Sequence, residues 1–588
     1  MEPSKRLAKI LGISGIFASF LLYAFCFPPH GNPFLAYLFA APVYIAAKAR
    51  PVSFKAWCLL TFVGVYAVWF FLLIWIRHVY PPAGYLAMLF LPLAVTAFVW
   101  PYFALLYKLA PSSREWALAR LFKIVGLAGL WVSLEYLRSF MFTGFPWLLL
   151  GHSQWNMPAT MYAASFGGVW IVSYFAVFFG MVFAEYFCRL YAWHADKIKT
   201  PLFEKPASSR FCPEFYLGAF FIIGGVWGYI AALPKSSQNI ESFRAGLVQT
   251  DFAGILKWDK SMALDNMRVI RNLTSALKNV RADAAFWPEA ATPPIWPVIG
   301  VPQMRDFVED LSKTEKLPII MGNMAYFADA GGAEGYSQNC IFAVSEESGL
   351  DDKSFYSKRK LVPFGEYVPF WFSFAESVVP VGSLKPGQTA QILNARIAGK
   401  DYKVGALICY EDIFPSLGRE VRNAGADFIF VATNDSWYGR EGGGWQHLAH
   451  SALQAVSLGL PVVRAANNGV SAVFDRFGRM APCITLQNTQ GKVFEGADAE
   501  LADSATDITS ESGALLNPYT LRPVRSSAML NAEGSPYFRG VAYADVIFYE
   551  NREPTFYAIF GDWFAAFCGV SALFALSTAF FARKRAQN

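Results

Sequence analysis

The sequence predicts an α-helical membrane bundle joined to an α/β layered domain. Three observations predict it. Hydrophobic residues make up 55% of the 588 residues and charged residues only 16%, the balance of a chain that sits in a bilayer. Long apolar stretches crowd the first 233 residues and return after residue 556. Between them, residues 240–480 alternate short apolar runs with amphipathic segments, the pattern of a layered α/β domain.

The apolar stretches cover roughly 10–26, 33–47, 56–76, 84–107, 118–137, 160–187, 215–233 and 557–582. A span needs about 20 apolar residues. The first two are short, with Pro28, Pro29 and Pro33 between them, and are read as two spans rather than a re-entrant pair. The first has no small-residue cleavage site and more spans follow, so it is expected to be an uncleaved helix. Phe25 before Cys26 also argues against lipoprotein-type processing.

Lys and Arg set the orientation. Counting from an inner N-terminus, the inner segments carry Lys5, Arg6 and Lys9, then Lys48, Arg50 and Lys55, then Lys108, Arg114, Arg120 and Lys123, then Lys197, Lys199, Lys205 and Arg210. The short outer loops offer Arg77 and Arg138, and Arg583, Lys584 and Arg585 follow the last stretch. That asymmetry predicts eight transmembrane helices with both termini cytoplasmic. Seven lie in residues 1–233, an outer domain fills 234–555, and 556–588 holds the eighth with its tail. The net charge of +6 forms no continuous basic patch and no nucleic-acid motif is present, which argues against a nucleic-acid partner. Glu135 and Glu185 fall near span ends and read as interfacial, leaving few intramembrane charges of the kind transport uses.

In the outer domain, strands are predicted over 243–249, 283–287, 317–322, 340–344, 404–409, 427–432, 461–465 and 471–475. Helices are predicted over 258–281, 302–316, 412–424 and 445–459. In the first helix Met267, Ile270, Leu273, Leu277 and Val280 make one apolar face. Residues 487–535 are rich in Gly, Ser, Ala, Asn and Asp with no sustained period, which predicts a flexible or loosely packed insertion.

Of the eight cysteines, Cys340, Cys409 and Cys483 fall in the outer domain, with no CxxC. The odd number leaves at least one thiol unpaired within the chain. Cys409 closes the apolar run 404–408 and precedes a helical stretch with Pro415 in its first turn. Helix amides there would favour its thiolate; the ordinary alternative is a small hydrophobe ending a core strand. Two further strand ends carry polar chemistry: Glu289 in FWPEA, and the run KRKLVPFGEYVP at 358–369 with Lys358 and Glu366. Singly, each has an ordinary reading as a turn carboxylate, one of a solvated basic trio, or a capping pair. His447 and His450 are spaced for a metal pair but lack an accompanying Cys, Asp or Glu signature. A structural role and no metal are therefore expected. No Gly-rich phosphate loop is present and no cofactor is expected.

Together these segments resemble the nitrilase superfamily, whose Glu, Lys and Cys occur in this chain order on an αββα sandwich. The whole chain is similar, more specifically, to the bacterial apolipoprotein N-acyltransferase family. The likeness rests on LVQTD…KWD at 247–259, WPEAATP at 287–293, KRKLVPFGEYVP at 358–369 and ICYED at 408–412. NDSWYG at 434–439, WQH at 445–447, NNGVSAVFD at 467–475, FPPHGNP at 27–33 and GFPW at 144–147 extend it. The resemblance implies Glu289 as general base, Lys358 as the positive group beside the reacting carbonyl and Cys409 as nucleophile. It implies supporting roles for Glu366, Glu411 and Tyr410, and substrate access past Trp258, Phe364, Trp371 and Trp437.

The activity implied is ping-pong transfer of an acyl chain through a Cys409 thioester. The donor would be a membrane phospholipid, phosphatidylethanolamine in the first instance. The acceptor would be the α-amino group of a diacylglyceryl-modified apolipoprotein cysteine, in the last step of lipoprotein maturation. The catalytic domain would then be periplasmic, tethered to the bacterial inner membrane. From Phe364 to Phe374 six of eleven residues are aromatic, either core or a lid that touches acyl chains. The insertion is longer than the family pattern implies. Two alternatives are a membrane-tethered amidase using water as acceptor and a non-catalytic transporter or receptor; the intact Glu289, Lys358 and Cys409 argue against the latter.

Overall fold

Period-two burial builds the strand-rich part of the molecule. Along β2 (Ala284–Trp287), Ala284 and Phe286 face one apolar core while Ala285 and Trp287 face another. A strand buried on both faces must lie in an inner layer, and the partners on each side show which one. The structure is a computed structural model. It describes all residues except 1–2, 30, 80–82, 113–114, 194–211, 235–240, 254–255, 329–334, 371–383, 488–521, 532, 551 and 588. Two compact units emerge, Pro234–Pro554 and the pair of segments Met1–Leu233 with Thr555–Asn588.

The strands of the first unit are β1 (Glu241–Gln249), β2, β3 (Ile319–Ala328), β4 (Gly335–Ser345), β5 (Gly349–Ser357), β6 (Leu393–Ile397) and β7 (Lys400–Ile408). They continue with β8 (Phe428–Thr433), β9 (Val462–Ala466), β10 (Ala472–Phe474), β11 (Cys483–Gln487), β12 (Arg522–Ser526) and β13 (Gly540–Phe548). One sheet runs β12-β11-β13-β1-β2-β3-β4-β5 and the other β10-β9-β8-β7-β6. Their inner faces meet through rings: Phe243 against Phe428 at 5.4 Å and Phe286 against Phe430 at 5.2 Å. Helices Ala263–Ala276 and Pro302–Glu315 pack on the outer face of the larger sheet through Ile270, Leu273, Val308 and Leu311. On the smaller sheet, helix Pro415–Asn423 comes so close that a Cβ on Gly405 would lie 2.1 Å from a Val421 methyl. Helix Gly443–Leu458 is buried along its whole length. The order of layers is helices, sheet, sheet, helices.

Several expectations need correction. The helical stretch expected over 412–424 divides into a 3-10 turn, Cys409–Ile413, and, after an extended Phe414, the helix proper, Pro415–Asn423. Residues 522–526, inside the stretch read as loosely packed over 487–535, form β12, paired antiparallel with β11 from Cys483↔Ser526 to Gln487↔Arg522. The segment RPVRS carries one aliphatic side chain, so its pairing comes from the partner strand and not from periodicity. Residues 488–521 of that stretch lie outside the described residues. β5, β6, β11 and β13 were also absent from the sequence reading.

In the other unit, helices Phe54–Leu72, Ala83–Leu109, Ala117–Phe140, Ala164–Ala192 and Pro213–Ala232 are long and apolar enough to cross a membrane. Lys9–Ala24, Pro33–Ala49 and Trp563–Thr578 are apolar but shorter. Five of the eight expected spans therefore meet the length requirement among the described residues. Gly126 and Gly129 admit the C-terminal helix Trp563–Gln587 against Ala117–Phe140: a Cβ on them would lie 2.3 Å from Ala575 Cβ and from Ser571 Oγ.

Glu135 and Glu185, read as interfacial from their places near span ends, each have partners inside the helical unit. Both are buried in the bundle. Glu185 accepts from Tyr44 (2.8 Å) and pairs with Lys48, and Glu135 accepts from the Leu150 amide at 2.7 Å. Arg120 and Glu214 form a further buried pair at 2.6 Å. Position along a helix gives depth, whereas which face a charge occupies is settled only by packing.

Candidate active site

Three strand ends of the Pro234–Pro554 unit bring Glu289, Lys358 and Cys409 together. Glu289 follows β2, on a turn whose next residue, Ala290, is left-handed with φ +45°. The turn presses on β3, where a Cβ at Gly322 would lie 2.6 Å from the Pro288 carbonyl oxygen and 2.8 Å from Glu289 Cα. Only glycine leaves that room. The Ala291 amide donates to the Gly322 carbonyl at 2.9 Å.

Lys358 follows β5. Its amide donates to the Asn339 carbonyl at 2.8 Å, and the side chain, 1% exposed, lies between two carboxylates. Lys358 Nζ is 3.1 Å from Glu289 Oε1 and 2.7 Å from Glu366 Oε1. Burial opposes its charge, but Glu289, Glu366 and the Cys409 thiol outweigh burial and raise it well above the ordinary lysine value. Glu366 Oε2 accepts from the Val362 amide at 2.8 Å, closing the 358–366 loop on itself. Asn339 Nδ2 donates to Glu289 Oε1 at 2.8 Å.

Cys409 follows β7 in left-handed backbone, φ +50°, a conformation that costs a non-glycine residue about 1–2 kcal/mol. The sequence-based expectation of a favoured thiolate does not hold for this free site. Burial, then the Glu289 charge, push the Cys409 thiol up to about 12 against the pull of Lys358. The thiol is therefore protonated at neutral pH, and attack on an electrophile requires a base to take its proton.

Two buried networks hold these ends in register. Glu411 accepts from the Arg359 amide (2.7 Å), the Lys360 amide (3.1 Å), the Ile408 amide (2.8 Å) and the Tyr356 hydroxyl (2.9 Å). One carboxylate thus ties the Lys358 strand end to the Cys409 strand end. Beneath, Arg464 on β9 bridges Asp412 (3.2 Å) and Asp435 (2.8 Å). His447 joins Asp435 (2.9 Å) to the Cys409 carbonyl (3.0 Å). Burial works against the Asp435 charge, but Arg464 and His447 outweigh it and hold the group below the usual carboxylate range.

Tyr410 is buried edge-on to Phe414 at 5.2 Å. Trp258 and Phe364 are exposed, and Trp437 is half-buried in the turn Asp435–Tyr438. Trp371 lies outside the described residues. The sequence reading missed Asn339, Gly322 and Arg464, and Lys257, whose Nζ donates to the carbonyls of Glu289 and Ala290 at 3.1 Å each. Arg464 had a signal: a lone charge in the apolar run PVVRAA must be paired if that run is core. Among the described residues, no group of three or more His, Cys, Asp or Glu could hold a metal ion.

Residues 19–182 match the apolipoprotein N-acyltransferase N-terminal domain, and residues 244–493 match the carbon-nitrogen hydrolase domain. In both halves the chain is similar to the apolipoprotein N-acyltransferases. It is 32% identical to the apolipoprotein N-acyltransferase of Brucella melitensis over 60% of this chain and 63% of that protein. To that of Geobacter metallireducens it is 28% identical, over 83% of this chain and 90% of the other. The chain thus spans under two thirds of the Brucella relative and most of the Geobacter one. Among solved structures, Nit3 of Saccharomyces cerevisiae, a member of branch 10 of the nitrilase superfamily, covers 52% of this chain and 90% of its own, at 16% identity and a TM-score of 0.33. The layered unit is the part that matches the carbon-nitrogen hydrolase domain, and the long apolar helices together with the similarity to bacterial N-acyltransferases fit a bacterial membrane protein.

Proposed function

We propose that this protein N-acylates the amino-terminal diacylglyceryl-cysteine of apolipoproteins, carrying the acyl chain on Cys409. The observation that supports it most is the Lys358 ammonium, buried between Glu289 and Glu366 and acting on a Cys409 held in strained backbone. In the first half-reaction Glu289 takes the Cys409 proton as sulfur attacks the ester carbonyl of a membrane phospholipid, and Lys358 stabilises the oxyanion. The C–O bond breaks, the departing alkoxide receives that proton, and a lysophospholipid leaves. In the second, the acceptor α-amine attacks the thioester, Glu289 takes the amine proton, an amide forms and the Cys409 thiol is restored.

The same reading takes Trp258, Phe364, Trp371 and Trp437 as substrate-access residues and phosphatidylethanolamine as donor. It keeps eight spans, the three shorter apolar helices completing the five long ones, with both termini cytoplasmic and residues 234–555 in the periplasm against the inner membrane. The Lys and Arg asymmetry of the loops supports that orientation.

Purified protein incubated with acyl-labelled phosphatidylethanolamine should carry the label on Cys409 and pass it to a diacylglyceryl-cysteine peptide. A label that persists in Cys409→Ala would sink the mechanism. Release of free fatty acid with no N-acylated peptide would favour the amidase alternative.

A further inference from the structure

Lys257 is a buried cation that the mechanism above leaves unused. It sits in the 3-10 turn Leu256–Trp258, 2% exposed, and its ammonium donates to the carbonyl oxygens of Glu289 and Ala290 at 3.1 Å each. Two consecutive carbonyls converge on one point here because Ala290 is left-handed. Their dipoles repel, and burial removes the water that would otherwise solvate them, so a cation between them turns repulsion into attraction. The lysine itself is disfavoured by burial, which pushes its ammonium down to about 7 despite the Glu289 charge. A methionine of similar length would avoid that cost. The turn held in this way carries Glu289, whose carboxylate is fixed at its other end by Asn339 and Lys358. The hold comes from the segment that also presents the exposed Trp258.

We propose that Lys257 is a positioning residue for the reaction: its ammonium locks the Glu289–Ala290 turn so that the Glu289 carboxylate serves Cys409, and it ties that turn to the Trp258 segment. The inference rests on Glu289 acting as the base, so its test must separate base positioning from phospholipid chemistry. Alkylation of Cys409 by iodoacetamide needs the base but no lipid. Full-length wild type, Lys257→Met and Lys257→Arg in detergent are compared by site-resolved mass spectrometry, with loading from labelled phosphatidylethanolamine measured in parallel.

Lys257→Met should slow both reactions by about 10–100-fold while leaving KM for the phospholipid within about twofold. Lys257→Arg, which keeps the cation, should recover most of the alkylation rate. Cys340 and Cys483, free and buried, serve as internal reporters of folding and should stay protected in both variants. Unchanged alkylation in Lys257→Met would overturn the proposal. So would reactivity spreading to Cys340 and Cys483, which would assign the lysine to stability alone. Lys257-dependent alkylation in a wild type that never loads from phospholipid would sustain this inference and remove the phospholipid reading.

Discussion

Replacing Glu411 by Gln should uncouple the strand ends that carry Lys358 and Cys409. One Glu411 oxygen accepts from the Arg359 and Lys360 amides and the other from the Ile408 amide, with the Tyr356 hydroxyl within 2.9 Å of both. A glutamine keeps a single acceptor oxygen. Turned towards Arg359 and Lys360 it loses the Ile408 bond; turned towards Ile408 it loses two. The smaller loss is one charge-assisted hydrogen bond of about 1.5–3 kcal/mol plus an orphaned buried amide of about 1–3 kcal/mol. Against this, the neutral side chain escapes the burial that raises the Glu411 carboxyl above its ordinary value. The balance is a destabilisation of roughly 2–3 kcal/mol, or about 3–5 °C in the melting temperature of a domain this size. If either strand end relaxes by about 1 Å, acyl loading of Cys409 falls on the order of 100-fold. Thermal melting and the rate of label capture on Cys409 measure the two effects separately. A glutamine variant that melts within about 1 °C of wild type and loads at the same rate would refute the argument.

Gly322→Ala drives a Cβ into the backbone of the Glu289 turn, which cannot swing aside. It should cost about 1–3 kcal/mol and depress loading far more than an alanine placed at Gly225, around which nothing lies within 4 Å; equal effects would contradict the steric account. Cys409→Gly and Cys409→Ala should both abolish loading, but the glycine form should be the more stable by about 1 kcal/mol because it relieves the left-handed backbone. The reverse order in chemical denaturation would remove strain from the description. Lys257 has its pKa lowered from 10.5 to about 7 by burial. The unfolded chain holds that proton more tightly, so the cost to stability is full below about pH 7 and fades as pH rises towards 10.5. Wild-type stability should gain on Lys257→Met by roughly 4–5 kcal/mol across that window, and parallel pH–stability curves would rule this out.

What could be read from the sequence followed the strength of local pattern. Strands buried on both faces, such as Phe428–Thr433, announce themselves as unbroken apolar runs. β6 alternates cleanly along Leu393–Ile397, but its five residues include an asparagine and an arginine, too few apolar positions to stand out. β13 pairs with β1 along nine residues, a partnership between the two ends of the Pro234–Pro554 unit that no local window contains. At the site, Glu289, Lys358 and Cys409 were legible as residue types at strand ends, and the motifs around them supplied the chain order. Their supports were less visible. Gly322 matters for the Cβ it lacks, Lys257 acts through backbone carbonyls of a distant turn, and Glu411 serves amides from two separate strands. The charge state of Cys409 was misread for the same reason: helix amides are local, whereas the burial and the Glu289 carboxylate that raise the thiol come from the tertiary fold.

The glycine pair on helix Ala117–Phe140 has a consequence for how the molecule is made. Its partner helix, Trp563–Gln587, leaves the ribosome only after the entire Pro234–Pro554 unit. Until then the groove at Gly126 and Gly129 has no occupant from its own chain. The helical unit therefore cannot reach its final packing while the intervening unit is being synthesised. Closure of the bundle waits on that late helix, and a nascent chain stalled before residue 563 leaves that seam open.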